Sequence, residues 1–447
     1  MRRRSFIHAS AAAAGLAAAR PLAAQAATSA SQVAGANDRI RVALIGCGGQ
    51  GAFDLRNSLR IKNIQCVALC DPDDRQVARV AKGVVEPVHS TADLLTTKDF
   101  RRVLELKDLE AVIVATPDHW HALPTILACQ AGKDVYVEKP LSVSIAEGRR
   151  MVDAARKYDR VVQMGTHQRS ASHYAQAIEY VRSGKLGKIR LVRAWAYLDW
   201  KGETPVLPDT DPAPEVDYDL WLGPAPKRPF NQNRFHFTFR WFWDYAGGLM
   251  TDWGAHMIDI ANWGMGIKAP SSAVSVGGKF GYPKDAMETP DTQQVIWEFP
   301  EFSMIWEHAL GVGRGPETRE HGVAFHGNNG VLVVDRGGWE VYADTDRIDK
   351  KVREYKMTGL PRQSADMEDY HFLHVRNFVE CIRSRKRPTS DVEIGHNSMI
   401  ACHLGNVAYR LGRQVKWDVE REEFLGDSEA QRYLSRPYRE PWKLPEA

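Results

Sequence analysis

The feature that most constrains this chain is a short apolar run that ends in a glycine cluster. Residues 39–45 (Arg-Ile-Arg-Val-Ala-Leu-Ile) read as a buried strand, and they lead directly into Gly46-Cys47-Gly48-Gly49-Gln50-Gly51. A helical pattern follows to about residue 59, and a second apolar run over 64–69 ends at Cys70-Asp71. This is G-x-G-x-x-G between a strand and a helix, with an acid at the end of the next strand. The first glycine permits a tight turn, the second admits a pyrophosphate close to the backbone, and the third lets helix and strand pack. Free N–H groups and the helix dipole then face the phosphates. Asp71, 20 residues past Gly51, is placed to accept the ribose hydroxyls. Its charge would repel a 2′-phosphate, so NAD is expected over NADP, with Arg75 close by as the opposing influence.

The alternation continues. Residues 92–106 read as helix, 111–115 as a strand ending in Thr116-Pro117-Asp118, and 119–131 as helix. Strand 134–137, helix 145–158 and strand 161–165 complete the series. Repeated strand–helix units predict a doubly wound parallel (Rossmann) sheet with its ligand at the strand C-termini. From residue 189 the pattern changes to strands, at 191–197, 293–299, 303–308, 322–327, 330–335 and 339–343, with helices at 367–383 and 394–411. The fold class expected is α/β: a Rossmann domain over 39–165, then an α+β domain over 166–412 with a large, mostly antiparallel sheet, and a tail over 413–447.

Charge narrows the partners. The formal net charge is +3, but residues 1–26 carry four arginines and no acid, which leaves −1 for the rest. A near-neutral body has no surplus of cations for a nucleic-acid backbone. The N-terminus reads as an address: Arg3-Arg4-Ser5-Phe6-Ile7 resembles a twin-arginine export signal, an Ala-rich stretch follows, and Ala24-Gln25-Ala26 fits a cleavage site. Export to the periplasm is therefore expected, with residues 27–38 as linker and no membrane association beyond export. The six cysteines form no C-x-x-C pair and read as small buried hydrophobes.

Three further motifs identify a family. Thr116-Pro117-Asp118-His119-Trp120-His121, then Val137-Glu138-Lys139-Pro140, then Gly247-Gly248-Leu249-Met250-Thr251-Asp252-Trp253-Gly254-Ala255-His256-Met257-Ile258-Asp259 together resemble the Gfo/Idh/MocA sugar and inositol oxidoreductases. The last run matches the pattern G-G-x-x-x-D-x-G-x-H-x-x-D at every fixed position. The resemblance implies NAD chemistry on a sugar or polyol, a cis peptide before Pro140, and a homo-oligomer. It also implies that Lys139 reaches the substrate hydroxyl while His256 takes its proton.

The spacing of Asp252 and His256 is consistent with these roles: four apart on a helix they share a face, where a carboxylate can orient an imidazole. The cofactor set expected is Gly46, Gly48, Gly49, Gly51, Asp71, Thr116, Pro117, His121, Glu138 and Lys139. Gln168 and Arg169, at the crossing into the second domain, and the aromatics Trp243 and Tyr245 are candidate substrate contacts; the aromatics serve equally well as core. Asp259 reads as a structural brace. No carboxylate or Cys completes a metal set with His119 and His121, so no metal is expected. Two rivals to simple dehydrogenation remain: a glycosidase working by transient oxidation and elimination, as in some relatives, and a non-catalytic NAD sensor.

Overall fold

The structure is a computed structural model that describes residues 39–348, 353–367 and 369–447. The export motif and the linker lie outside the described residues.

The first sheet has six parallel strands: β1 (Ile40–Ile45), β2 (Ile64–Cys70), β3 (Leu95–Thr97), β4 (Ala111–Val114), β5 (Asp134–Val137) and β6 (Val162–Met164). They lie in the order β3-β2-β1-β4-β5-β6, so the chain reverses direction between β1 and β4. That switch point opens a crevice at the C-terminal ends of the strands. β4 is buried on both faces, as its unbroken apolar sequence requires, and β1 is buried at every position but Arg41. Helices α1 (Gly49–Leu59), α2 (Asp74–Val80), α3 (Phe100–Leu104), α4 (Ala122–Gln130) and α5 (Ile145–Lys157) cover the sheet.

One expectation fails here. Residues 92–106 are not one helix but the edge strand β3 followed by the short α3. The Asp99 side chain accepts from the Arg101 N–H and so starts the helix late, while Leu95 pairs with Ala68 of β2.

The second sheet has ten strands. After helix α6 (Ser172–Arg182) comes β7 (Ile189–Leu198), and then the short helices α7 (Tyr218–Leu222) and α8 (Leu249–Asp252) and the longer α9 (Gly254–Met265). Strands β8 (Ser272–Gly278), β9 (Thr292–Glu298), β10 (Ser303–Leu310), β11 (His321–Gly327), β12 (Gly330–Asp335) and β13 (Gly338–Ala343) follow. A small ribbon, β14 (Thr345–Arg347) with β15 (Arg353–Tyr355), precedes β16 (Leu360–Ser364). Helices α10 (Tyr370–Ser384) and α11 (Val392–Leu411), then β17 (Val415–Asp418) and β18 (Glu423–Phe424), complete the order β16-β13-β12-β11-β7-β10-β9-β8-β17-β18. Only the central β7–β10 pair is parallel.

Two segments sit elsewhere than the linear division suggests. α10 falls in the span assigned to the second domain, yet it covers one face of the first sheet: Phe378 packs edge-on against Tyr136 of β5 at 5.8 Å and shares a core with Leu44 and Leu55. The final segment does not hang free. β17 extends the large sheet beside β8, and Trp442 then packs against Trp120 and Phe100, at 4.9 and 6.4 Å between ring centroids. All six cysteines are buried and free.

Candidate active site

A cavity of about 450 Å³ opens at the switch point. Its floor is the glycine loop. Gly46 has φ +94°, and a Cβ there would strike the Ala115 carbonyl; a Cβ on Gly51 would strike the Gly46 carbonyl. Gly48 and Gly49 face open space. α1 has no side-chain cap, so the N–H groups of its first turn are left for a ligand. Asp71 lies against the loop: the Cys47 N–H donates to Oδ2 (2.7 Å) and the Asp73 N–H to Oδ1 (2.9 Å). Burial pushes its carboxyl up to about 6 despite these bonds. Arg75 is spent on Asp73 through two bonds of 2.8 Å, which leaves it poorly placed for a 2′-phosphate.

The wall continues through Thr116, Pro117, Asp118, Glu138 and Lys139 at the ends of β4 and β5. Thr116 Oγ1 is buried without a partner. Glu138 accepts from the Lys139 N–H (3.1 Å), and burial pushes it up to about 7. The Lys139–Pro140 peptide is cis. His121 stands behind this wall and not in it, which corrects its place in the cofactor set. Its Nε2 lies 2.9 Å from the Thr116 carbonyl and its Nδ1 2.6 Å from the Pro140 carbonyl. Burial pushes the ring down to about 4, so at neutral pH it is uncharged and donates to one of the two. It ties the β4 and β5 loops together.

At the inner end, Lys139 Nζ donates to Asp252 Oδ1 at 2.6 Å, with Arg240 Nε 3.7 Å from the other oxygen. Burial raises the Asp252 carboxyl, but Lys139 and Arg240 outweigh it and hold it below the usual range. This corrects a second expectation. Trp253 separates α8 from α9, so Asp252 and His256 do not share one continuous helical face, and no hydrogen bond joins them. Asp252 holds Lys139 instead. His256 is buried, its Nδ1 has no partner, and its ring lies 5.1 Å from that of His167. Burial, with Lys139 and Arg336 adding to it, pushes its pKa well down. The ring is therefore neutral.

The candidate substrate contacts scatter. Arg169 is locked to buried Asp259 (2.6 Å) and lies over Trp263, so it braces structure, as Asp259 was expected to do. Tyr245 is fully buried between His119 and Trp221. Trp243 donates to the Glu288 carbonyl and stacks on Tyr409. Gln168 donates to the Tyr174 hydroxyl (2.7 Å), while its Oε1 stays buried and unpartnered. None of the four lines the cavity.

Two cavity residues were passed over in the sequence. Asp118 lies inside the Thr-Pro motif, and burial pushes it up to about 8 against the pull of Arg240 and Lys139. Arg240 sits on a short 3-10 segment, His236–Trp241, that roofs the cavity. A lone cation within an aromatic run was the available signal. His236 pins this roof by a 2.9 Å contact to Asp73.

The model of the Gfo/Idh/MocA oxidoreductase family's NAD-binding Rossmann fold matches residues 40–166, and that of its C-terminal alpha/beta domain matches 187–289 and 351–444. The chain belongs to the Gfo/Idh/MocA oxidoreductase family. The family explains the pairing of a glycine cradle with a lysine at the end of β5 in one cavity. Among individual relatives, the chain is 23% identical over 391 residues to scyllo-inositol 2-dehydrogenase (NAD(+)) of Bacillus subtilis (strain 168), covering 86% of this chain and 98% of that one. It is 29% identical over 157 residues to a glycosyl hydrolase family 109 protein of Shewanella sp. (strain W3-18-1), a match that spans only 34% of either chain. In fold it is similar to aldose-aldose oxidoreductase from Caulobacter crescentus complexed with glycerol, with a TM-score of 0.62, 20% identity, and coverage of 85% of this chain and 99% of the other. Unpartnered Thr116 Oγ1, the open space over Gly48 and Gly49, and the acceptor Asp71 all fit a dinucleotide.

Proposed function

We propose that the protein oxidises or reduces a secondary hydroxyl or ketone of a sugar, polyol or glycoside with a tightly held NAD. The observation that carries this reading is Lys139: its ammonium, fixed by Asp252 at 2.6 Å, stands on the wall of the cavity that reaches the glycine cradle. His256, neutral and with a free ring nitrogen, takes the hydroxyl proton. Lys139 donates to the same oxygen and stabilises the charge that develops there. Asp252 positions Lys139. Gly46, Gly48, Gly49, Asp71, Thr116, Pro117 and Glu138 form the cofactor wall, with Gly51 packed beneath it. NAD held there would supply the hydride chemistry at the carbinol or carbonyl carbon. Mass spectrometry of the nucleotide co-purifying with the folded protein, then a sugar and polyol panel read at the nicotinamide absorbance, tests the reading. Absence of nucleotide, or no reduction by any hydroxyl compound, would count against it.

A second reading, redox-neutral glycoside cleavage through transient oxidation, draws support from the family 109 match. It would show reduced nicotinamide only transiently. The intact Glu138-Lys139-Pro140 supports the first reading.

We also propose that Arg3 and Arg4 direct export of the folded, cofactor-loaded protein to the periplasm. Replacing both by Lys should trap the precursor in the cytoplasm, and normal periplasmic accumulation would remove the proposal. A homo-oligomer formed through the open face of the large sheet is proposed on the exposure of Val276 (65%) and Ile296 (48%), and light scattering tests it.

A further inference from the structure

Among the described residues, Arg336 forms no ion pair. It occupies the β12–β13 turn, half-buried, and its Nε is buried with no partner. The adjacent carboxylate is committed elsewhere: Asp335 takes Arg362 (2.6 Å) and the Gly337 N–H (2.7 Å) on Oδ1, and Arg319 (3.1 Å) on Oδ2. The guanidinium lies over the ring of Trp253, at 4.5 Å. Trp253 is the residue between α8 and α9, with its ring 6.1 Å from that of His256 and 4.9 Å from that of His321. Trp253 is thus a ring neighbour of both Arg336 and the proposed base.

The neighbouring polar atoms are also unsatisfied. His256 Nδ1, His167 Nε2 and both nitrogens of His321 are buried without partners, and the His371 ring is tilted against that of His167, 3.7 Å between centroids. Native interiors leave few such atoms, and each costs free energy until a ligand or water meets it. Burial holds these imidazoles neutral, so each offers one donor and one acceptor. No carboxylate joins them in a metal set; among the described residues no group of metal-ligating side chains forms.

We infer that the substrate is a sugar acid: a polyhydroxylated ring or chain whose carboxylate pairs with Arg336 while its hydroxyls meet the imidazoles, with the reacting hydroxyl at Lys139 and His256. One guanidinium among neutral rings, near the negative Asp252, matches a monoanion better than a phosphate dianion. This rests on the proposed redox reading for its reacting carbon, but not for its binding.

The experiment uses the NAD-loaded full chain. Glucuronate, galacturonate, gluconate and galactonate are compared with glucose, galactose and their 6-phosphates. Binding is read calorimetrically and by Trp fluorescence, and turnover by nicotinamide absorbance. The acids should bind about 10- to 100-fold tighter than the neutral sugars, the range for a charge-assisted pair. Arg336→Gln should erase that ratio, and Arg336→Lys should restore part of it. Equal binding of acids and neutral sugars, preference for the phosphates, failure of every acid to bind at millimolar concentration, or an unchanged ratio in Arg336→Gln would each overturn the inference. Should Arg336→Gln fail to fold, the wild-type ratio and Arg336→Lys still decide. Acids that bind through Arg336 but never reduce nicotinamide would defeat the redox reading and leave this inference standing; neutral sugars that are oxidised regardless of Arg336 would do the reverse.

Discussion

The two ends of the cleft are finished to different degrees. At the cofactor end, Thr116 Oγ1 is unpartnered, but other buried polar groups are met by nearby backbone: both oxygens of Asp71 accept main-chain N–H groups, and His121 braces two loops through their carbonyls. At the proposed substrate end, His167 Nε2, His256 Nδ1, both nitrogens of His321 and Arg336 Nε are left without partners. A buried unmet donor or acceptor is costly until a ligand or water meets it, so the chain itself completes more of the first end than of the second. The contrast also separates what each end controls: the first sets which nucleotide is held, the second what it reacts with.

The sharpest way to break this comparison is to remove the reacting groups. His256→Ala or Lys139→Ala should each cut single-turnover nicotinamide reduction by about 10²–10⁴-fold. The double variant should lose far less than the product, because both act on one oxygen. NAD affinity should hardly move in His256→Ala. Near-wild-type reduction in that variant would shift attention to Asp118. Asp252→Asn should reduce turnover through the displacement of Lys139, not through His256. If it does, methylating or shortening Lys139 in the Asn background should cost little more.

A comparable loss, but in stability, is expected where the sequence suggested a substrate contact. Arg169→Ala strands buried Asp259, and breaking such a pair costs about 3–5 kcal/mol. A fall in the denaturant midpoint, with KM unchanged in the surviving enzyme, is the expected outcome. A KM effect without a stability effect would return Arg169 to the substrate site.

These cases show what the sequence could carry. Motifs whose partners lie within a few residues, such as Gly46 to Gly51 with Asp71 at the next strand end, were legible because backbone geometry fixes them locally. The parallel sheet, apart from its edge strand β3, and most strands of the second sheet were legible from apolar periodicity. Three things were not. The Lys139–Asp252 pair joins residues 113 apart, and the i, i+4 spacing to His256 was a nearer and misleading partner. α10 reads as any amphipathic helix, and nothing in its pattern says which sheet it covers. Arg336 sits in Asp-Arg-Gly-Gly, which reads as a turn; its isolation appears only when Arg319 and Arg362 are seen to occupy Asp335.

On the cofactor side, Asp71→Ala should weaken NAD binding by about 10- to 100-fold and relax discrimination against NADP, since a charge-assisted acceptor is lost. Asp71→Asn keeps an acceptor for one of the two main-chain donors and should fall between. Unchanged affinity for both nucleotides in Asp71→Ala would take this residue out of the site.

The smallest effect is the most specific. Burial pushes the Asp71 carboxyl up to about 6, above its ordinary value near 4. Ribose hydroxyls donate more strongly to the carboxylate than to the acid, so bound NAD favours the ionised form and pulls this pKa down. By linkage, affinity is full above pH 6 and weakens as pH falls through the value of the free protein, by at most about tenfold per pH unit. The effect on folding has the opposite sign. A carboxyl raised on folding costs nothing below pH 4, where both states are protonated, and its cost grows as pH rises to about 6. Cofactor-free protein should therefore lose stability from Asp71 over pH 4–6 while NAD affinity climbs across the upper part of the same window. Calorimetric NAD titrations of cofactor-stripped protein at pH 5, 6 and 7 read the first trend and thermal midpoints without nucleotide the second. Both slopes should flatten in Asp71→Asn. An Asn variant that keeps the wild-type slope in NAD affinity would move the titration to Glu138, whose raised carboxyl lines the same wall.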